Sequence, residues 1–167
     1  FEVFRTQWVA RVVIFLIFGV IAAAAIWLTL WVARRVRPER GTRATLDQYR
    51  DQIRPLENAV MWMAPVSIGA IAGMVMSAQW QQILAWLNAS EFGIKDPQFG
   101  LDASFYVFTL PVLRSFIAFA LTMLILSTAL ATFVHLLYGG ISGSGRSFVA
   151  SKGARIQLAV MGALIML

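Results

Sequence analysis

The residues able to do chemistry are few and widely spaced. His135 is the only histidine and there are no cysteines, which excludes thiol catalysis, disulfides and Cys-ligated metal within this chain. A lone histidine with no acidic neighbour in sequence is a poor proton relay or metal site. Near the end of an apolar run it reads as an interfacial cap, because the last carbonyls of a helix favour a cationic or hydrogen-bonded imidazole. Asp96 and Asp102 can in principle hold a hard cation, but two carboxylates without further ligands fall short of a calcium loop. They read instead as turn and cap residues. Residues 140–147, Gly-Ile-Ser-Gly-Ser-Gly-Arg-Ser, nearly fit a phosphate-binding loop, with Arg146 where lysine belongs. A true phosphate loop follows a strand, whereas an apolar run precedes this one, so it reads as a flexible turn. No nucleophile–base pair or metal cluster stands out. The expectation is a chain with no catalytic residues, no cofactor and no metal, and not an enzyme.

The elements that carry these residues are apolar. No Lys, Arg, Asp or Glu occurs over 12–33, 59–78, 115–137 or from 156 onward. A bilayer core takes about 20 mostly apolar residues per helix. Hydrophobic residues make up 59% of the chain, charged residues 13%, and the mean hydropathy is +0.74. A soluble domain carries about 25% charged residues. The expected fold class is therefore all-α: a polytopic transmembrane helix bundle with spans at about 8–33, 59–78, 113–138 and 156–167 onward. The chain starts at Phe1 and stops at Leu167 within an apolar run, and reads as an internal part of something longer. Residues 1–36 are not a signal peptide, because the apolar stretch is too long and no small-residue cleavage site follows.

Charge placement orients the spans. The segments 34–58 and 139–155 hold ten of the fourteen basic residues and four acids, which accounts for the whole net charge of +6. The positive-inside rule makes these the cytoplasmic loops, and 79–112 the extracytoplasmic one. Trp8, Trp27, Trp31, Trp62, Trp80 and Trp86 fall near the expected span ends, where indole prefers to sit. The charge is a topology signal, so the expected partner is the lipid bilayer and not nucleic acid. Arg11 and Arg114 lie at outer ends and can snorkel to headgroups.

Two loops contain local structure. Thr45 and Gln48 form a capping-box pattern, Leu46, Tyr49 and Ile53 share a helical face, and Pro55 ends the run, so a short interfacial helix is expected. Trp80, Ile83, Leu84 and Leu87 repeat at helical spacing, either as an extension of the second span or as a helix in the interface.

Gly69, Gly73 and Ser77 recur every fourth residue in the second span. Small residues at this spacing let two backbones approach closely, within the chain or with a partner. Gly19 and Ala23 make a weaker version on the first span. The hydroxyls Thr29, Ser67, Ser77, Thr122, Ser127, Thr128 and Thr132 are the polar set within the spans, and each can bond back to its own helix. No acid lies at membrane depth, where coupled transporters place ionisable groups.

The most distinctive stretch is Asp96-Pro97-Gln98-Phe99-Gly100-Leu101-Asp102, followed after Ala103 by Ser104-Phe105-Tyr106-Val107-Phe108-Thr109-Leu110-Pro111. Asp-Pro and Phe-Gly are turn formers. Asp102 is placed to cap a helix starting near Ala103, and Pro111 marks the entry to the third span. This stretch resembles the signature of the bacterial uncharacterised protein family 0182, Asp-Pro-x-Phe-Gly-x-Asp, two residues, then Phe-Tyr-x-Phe-x-Leu-Pro. Gln79-Trp80 with Leu84-x-Trp86-Leu87-Asn88 resembles the family's lead-in. His135 through Ile141 resembles the end of its next helix, and Val3-Phe4 with Thr6 and Arg11 the start of an earlier one. The resemblance implies a large multi-pass inner-membrane protein in which this chain supplies internal helices ahead of a large extracytoplasmic region. It brings no assigned activity or catalytic residues.

The leading expectation is a non-enzymatic membrane scaffold. It would anchor an extracytoplasmic domain or dock with other membrane proteins or the rest of its own chain, through the small-residue face and the signature loop. The alternative is a transporter or channel for a lipid or envelope precursor, with an apolar pathway.

Overall fold

The computed structural model of the chain describes residues 2–36, 44–138, 141–144 and 147–167. They form α1 (Glu2–Arg35), α2 (Ala44–Ser77), α3 (Trp80–Leu87), a π-helical turn (Phe105–Thr109) running into α4 (Leu110–Leu137), the strands β1 (Ile141–Ser144) and β2 (Ser147–Ala150), and α5 (Lys152–Met166). The fold is helical, as composition implies. Three stretches, Phe4–Arg35, Ala59–Ser77 and Phe105–Leu137, are long and apolar enough to cross a membrane. A helix pairs all its interior N–H and C=O groups within one segment, the condition that hydrocarbon surroundings impose. Over the fourth apolar run, α5 has 15 residues and begins at Lys152 rather than Ile156.

Three local expectations are corrected. The helix expected to stop at Pro55 does not stop: α2 runs unbroken from Ala44 to Ser77, so 44–58 belongs to the same helix as the second span, whose membrane-length apolar stretch begins at Ala59, rather than forming a separate helix. Proline removes one ladder bond and crowds the turn before it, but neighbouring bonds hold the helix on either side. Pro111 likewise lies inside a helical segment instead of at its entry. It has no N–H to give the carbonyl of Val107, and the preceding turn opens to the wider π register, with the Leu110 N–H on the Phe105 carbonyl. Third, the glycine–serine run expected as a turn is built into an antiparallel hairpin in the register Ile141↔Ala150 to Ser144↔Ser147. Residues 140, 145 and 146 of that run lie outside the described residues.

The chain divides into two compact units. One comprises Phe1–Ile21 with Gly69–Leu121, the other Ala22–Ile68 with Thr122–Leu167.

In the first unit glycine sets the approach of α1 and α2. A Cβ built on Gly73 would lie 2.6 Å from the Phe15 carbonyl oxygen and 3.2 Å from the Gly19 Cα. One built on Gly19 would lie 3.2 Å from the Gly69 carbonyl oxygen. Beside this crossing, Ile14, Met76 and Ile83 are buried, with Phe18, Trp80, Phe116 and Phe119 packed against them. Phe18 meets Phe119 edge-on at 5.1 Å. Arg11 stands over the Trp80 ring at 5.7 Å, a cation–π contact.

In the second unit Ala22, Ile26, Thr29, Leu30 and Ala33 form one buried stripe along α1, at the spacing of a helical face. Ile26, Leu30 and Met61 make the core, with Ala64, Ile68, Leu130 and Val134 against it. Gly153 lies so close to Val36 that an added Cβ would sit 1.5 Å from its Cγ1.

Replacing Gly73 by alanine therefore overpacks a backbone contact and should cost about 1–3 kcal/mol. Gly162 is the control: its Cβ would meet nothing within 4 Å, and alanine there should be neutral or stabilising by up to about 1 kcal/mol. Thermal unfolding of both variants in mild detergent checks this. Equal melting temperatures would remove the close-contact argument.

Candidate functional site: the signature loop and a buried polar link

The signature loop is organised by its two carboxylates. Asp102 accepts hydrogen bonds from the backbone N–H groups of Phe92 (3.0 Å), Gly93 (2.9 Å) and Ser104 (2.8 Å). The last is the N-cap bond of the helical segment that follows. Asp96 accepts from the N–H groups of Gln98 (3.2 Å) and Phe99 (3.3 Å) and from the Tyr106 hydroxyl (2.9 Å). Backbone bonds close the rest, with Asp96 N–H on Leu101 O, Gly100 N–H on Asp96 O and Ala103 N–H on Ile94 O, each 2.8 or 2.9 Å. Pro97 pre-sets φ for the turn after Asp96. Gly93 and Gly100 have φ of 75° and 69°, the left-handed region that side chains disfavour.

Electrostatics follow from this geometry. The Ser104 N–H, then the Ser104 hydroxyl, then the Phe92 and Gly93 N–H groups, hold Asp102 at about 2, below its ordinary 3.8. The Gln98 N–H, the Tyr106 hydroxyl and the Phe99 N–H lower Asp96 too. Both carboxylates are thus committed to shaping the loop. Among the described residues no three His, Cys, Asp or Glu stand together as a metal site.

Beside the exposed Glu91, Lys95 and Gln98, the loop exposes several large apolar side chains. Ile94 is 69% exposed and Phe99 68%, while Phe92 and Leu101 are also exposed. Phe92 leans edge-on against Phe108 at 5.7 Å. Phe105 is half-buried and Pro111 likewise, in the segment that anchors the loop to α4.

The small-residue face is placed differently from the loop. Gly69 and Gly73 lie against α1 inside the first unit, so α1 occupies that face and it is not left open for a partner. Ser77 is at its edge and returns its hydroxyl to the Met74 carbonyl at 2.8 Å. Thr29, Ser67, Thr128 and Thr132 also bond back to their own helices, at 2.6–2.9 Å.

Sequence reasoning missed a second polar arrangement, in the second unit. His135 is buried, 1% exposed, rather than capping a helix at the interface. Its Nε2 lies 2.9 Å from Gln157 Oε1, and Gln157 Nε2 donates to the Thr29 carbonyl at 3.1 Å. The amide oxygen is an acceptor only, so the imidazole carries its proton on Nε2. One amide thereby ties α1, α4 and α5 together. A glutamine in an apolar run, near the same basic segment as the lone histidine, was the available signal, because such side chains hydrogen-bond across membrane helices.

Two expectations follow. Because Asp102 is lowered on folding, its contribution to loop order is full above its ordinary 3.8 and is lost as pH falls toward about 2. Hydrogen exchange at the Phe92, Gly93 and Ser104 amides should accelerate over that window, and Asp102→Asn should accelerate it several-fold at neutral pH. Unchanged exchange would detach the carboxylate from loop order. Gln157→Leu should destabilise by about 1–3 kcal/mol, because it strands the His135 N–H. The His135→Leu, Gln157→Leu double variant should recover part of that loss in thermal unfolding.

Comparison with known proteins agrees with this signature. A sequence model of the uncharacterised protein family (UPF0182) matches residues 1–167. A UPF0182 protein of Arthrobacter sp. (strain FB24) is 37% identical over 100% of this chain and 17% of its own length. Those of Corynebacterium glutamicum and Streptomyces coelicolor are each 37% identical over 99% of the chain, and over 18% and 16% of their own lengths. The chain thus spans about a sixth of the length of these relatives. No solved structure matches it. The chain belongs to the uncharacterised protein family UPF0182.

Proposed function

We propose that this chain is part of a non-enzymatic scaffold in the bacterial cytoplasmic membrane. Its apolar helices anchor the signature loop, and the loop receives the remainder of a family-length chain or a partner membrane protein. The observation that carries this reading is the loop itself, whose two carboxylates are satisfied internally while Ile94 and Phe99 stay exposed. An ordered apolar projection is a binding element, since exposed apolar surface marks interaction sites. The basic segments 34–58 and 139–155 face the cytoplasm in this reading and the loop faces away from it. Transport of a lipid or envelope precursor is the second reading, favoured by an apolar cleft in the second unit.

The test uses full-length protein in a cysteine-free background with Phe99→Cys or Ser144→Cys. A membrane-impermeant maleimide on intact cells should label the first variant and reach the second only after the cells are opened. Labelling of both on intact cells would end the orientation reading. A photo-cross-linker attached at Phe99→Cys should give one defined protein adduct that weakens when Asp102→Asn is added. Adducts with lipid alone would favour the transport reading.

A further inference from the structure

The second unit contains a cleft of about 490 Å³, within the range of small-molecule sites. Its walls are Leu28 and Val32 of α1, Leu124 of α4, and Val160 and Leu164 of α5. Gly153 and Val36 line it as well, at their close contact. The cleft extends along α5 from Gly153 to Leu164, about 16 Å at the helical rise. That is the scale of one extended hydrocarbon chain.

The ends of the cleft differ. Lys152 and Arg155 flank the lining residue Gly153 and are exposed, as is Arg35 beside Val36. The segments 22–36 and 122–167, which supply every lining residue, contain no Asp or Glu. The Leu164 end is apolar. Ser127 lies in the wall, 4% exposed, and its hydroxyl has no hydrogen-bond partner among the described residues. Gln157 also lines the cleft, but its amide already bridges His135 and Thr29.

We propose that this cleft holds one acyl chain of a phospholipid whose anionic headgroup sits among Lys152, Arg155 and Arg35. Charge complementarity selects the headgroup, because basic side chains at a membrane surface attract anionic lipid. The apolar walls take the tail. The site is independent of the signature loop and goes beyond the scaffold reading.

The experiment is native mass spectrometry of delipidated full-length protein, titrated with phosphatidylglycerol or with phosphatidylcholine of the same chains. Phosphatidylglycerol should bind preferentially. Val160→Trp and, separately, Leu164→Trp fill the cleft and should weaken that binding about tenfold. Ile117→Trp, at an exposed site in the other unit, should leave it unchanged. Lys152→Gln and Arg155→Gln should each reduce the preference about fivefold, without affecting phosphatidylcholine. Equal binding of the two lipids overturns the proposal, as does wild-type binding by both tryptophan variants. A photo-cross-linker at position 160 that captures protein instead of lipid also overturns it. Asp102→Asn should not alter lipid binding, so failure here is distinct from failure of the scaffold reading.

Discussion

A helix surrounded by hydrocarbon has no water to complete its hydrogen bonds, so its backbone polar groups must find partners inside the protein. That constraint is visible at each scale of this chain. The hydroxyls of Thr29, Ser67, Thr128 and Thr132 turn back to carbonyls of the preceding turn. Gln157 is placed so that both ends of its amide are used. Even Pro111, which cannot complete the ladder, is accommodated by a shift to a wider register rather than by a break.

The same surroundings weaken the usual drive for helix association. Between lipid-facing helices there is little hydrophobic gain, and close packing and interhelical hydrogen bonds must act instead. The two units use these two means in different proportion. In the first, glycine brings backbones together at Gly73 and Gly19, and aromatic rings fill the adjoining space. In the second, Ala22, Ala33, Ala131 and Ala154 are fully buried, and the Gln157 bridge adds direction to the contact. Interhelical hydrogen bonds in bilayers average about 0.6 kcal/mol, so this bridge contributes more to which faces meet than to overall stability. A leucine at position 157 could supply comparable area but could not distinguish one rotation of α5 from another.

Helix existence was legible in the sequence because it depends on uninterrupted apolar length, which charge gaps reveal directly. The Gly69–Gly73 spacing and the capping role of Asp102 were legible for a similar reason: each depends on a local rule with few alternatives. Helix ends were less so. Pro55 and Pro111 are stop signals in isolated helices, yet here the bonds on either side outweigh one missing donor. The hairpin at Ile141–Ala150 was obscured by glycine and serine, which suit a turn as well as a short strand. His135 was misread for a different reason. Its position near a helix end was clear, but its burial depends on a partner 22 residues away, and periodicity within one helix carries no information about what lies across from it.

The signature loop shows why carboxylates belong where no ion is bound. A loop joining two apolar helices sits where hydration varies, so a fold that relied on water for its N–H groups would change with its surroundings. Asp96 and Asp102 remove that dependence by supplying acceptors to five backbone donors from within the loop. Charge strengthens those bonds, and the lowered proton affinity of both groups is the other face of the same interaction. Order established in this way reduces what must be immobilised when another surface arrives. Binding to a preorganised element loses less conformational entropy than binding to a flexible one. Ile94 and Phe99 therefore stand on a framework suited to contact, and the chemistry of the contact is apolar even though the framework is built from charge.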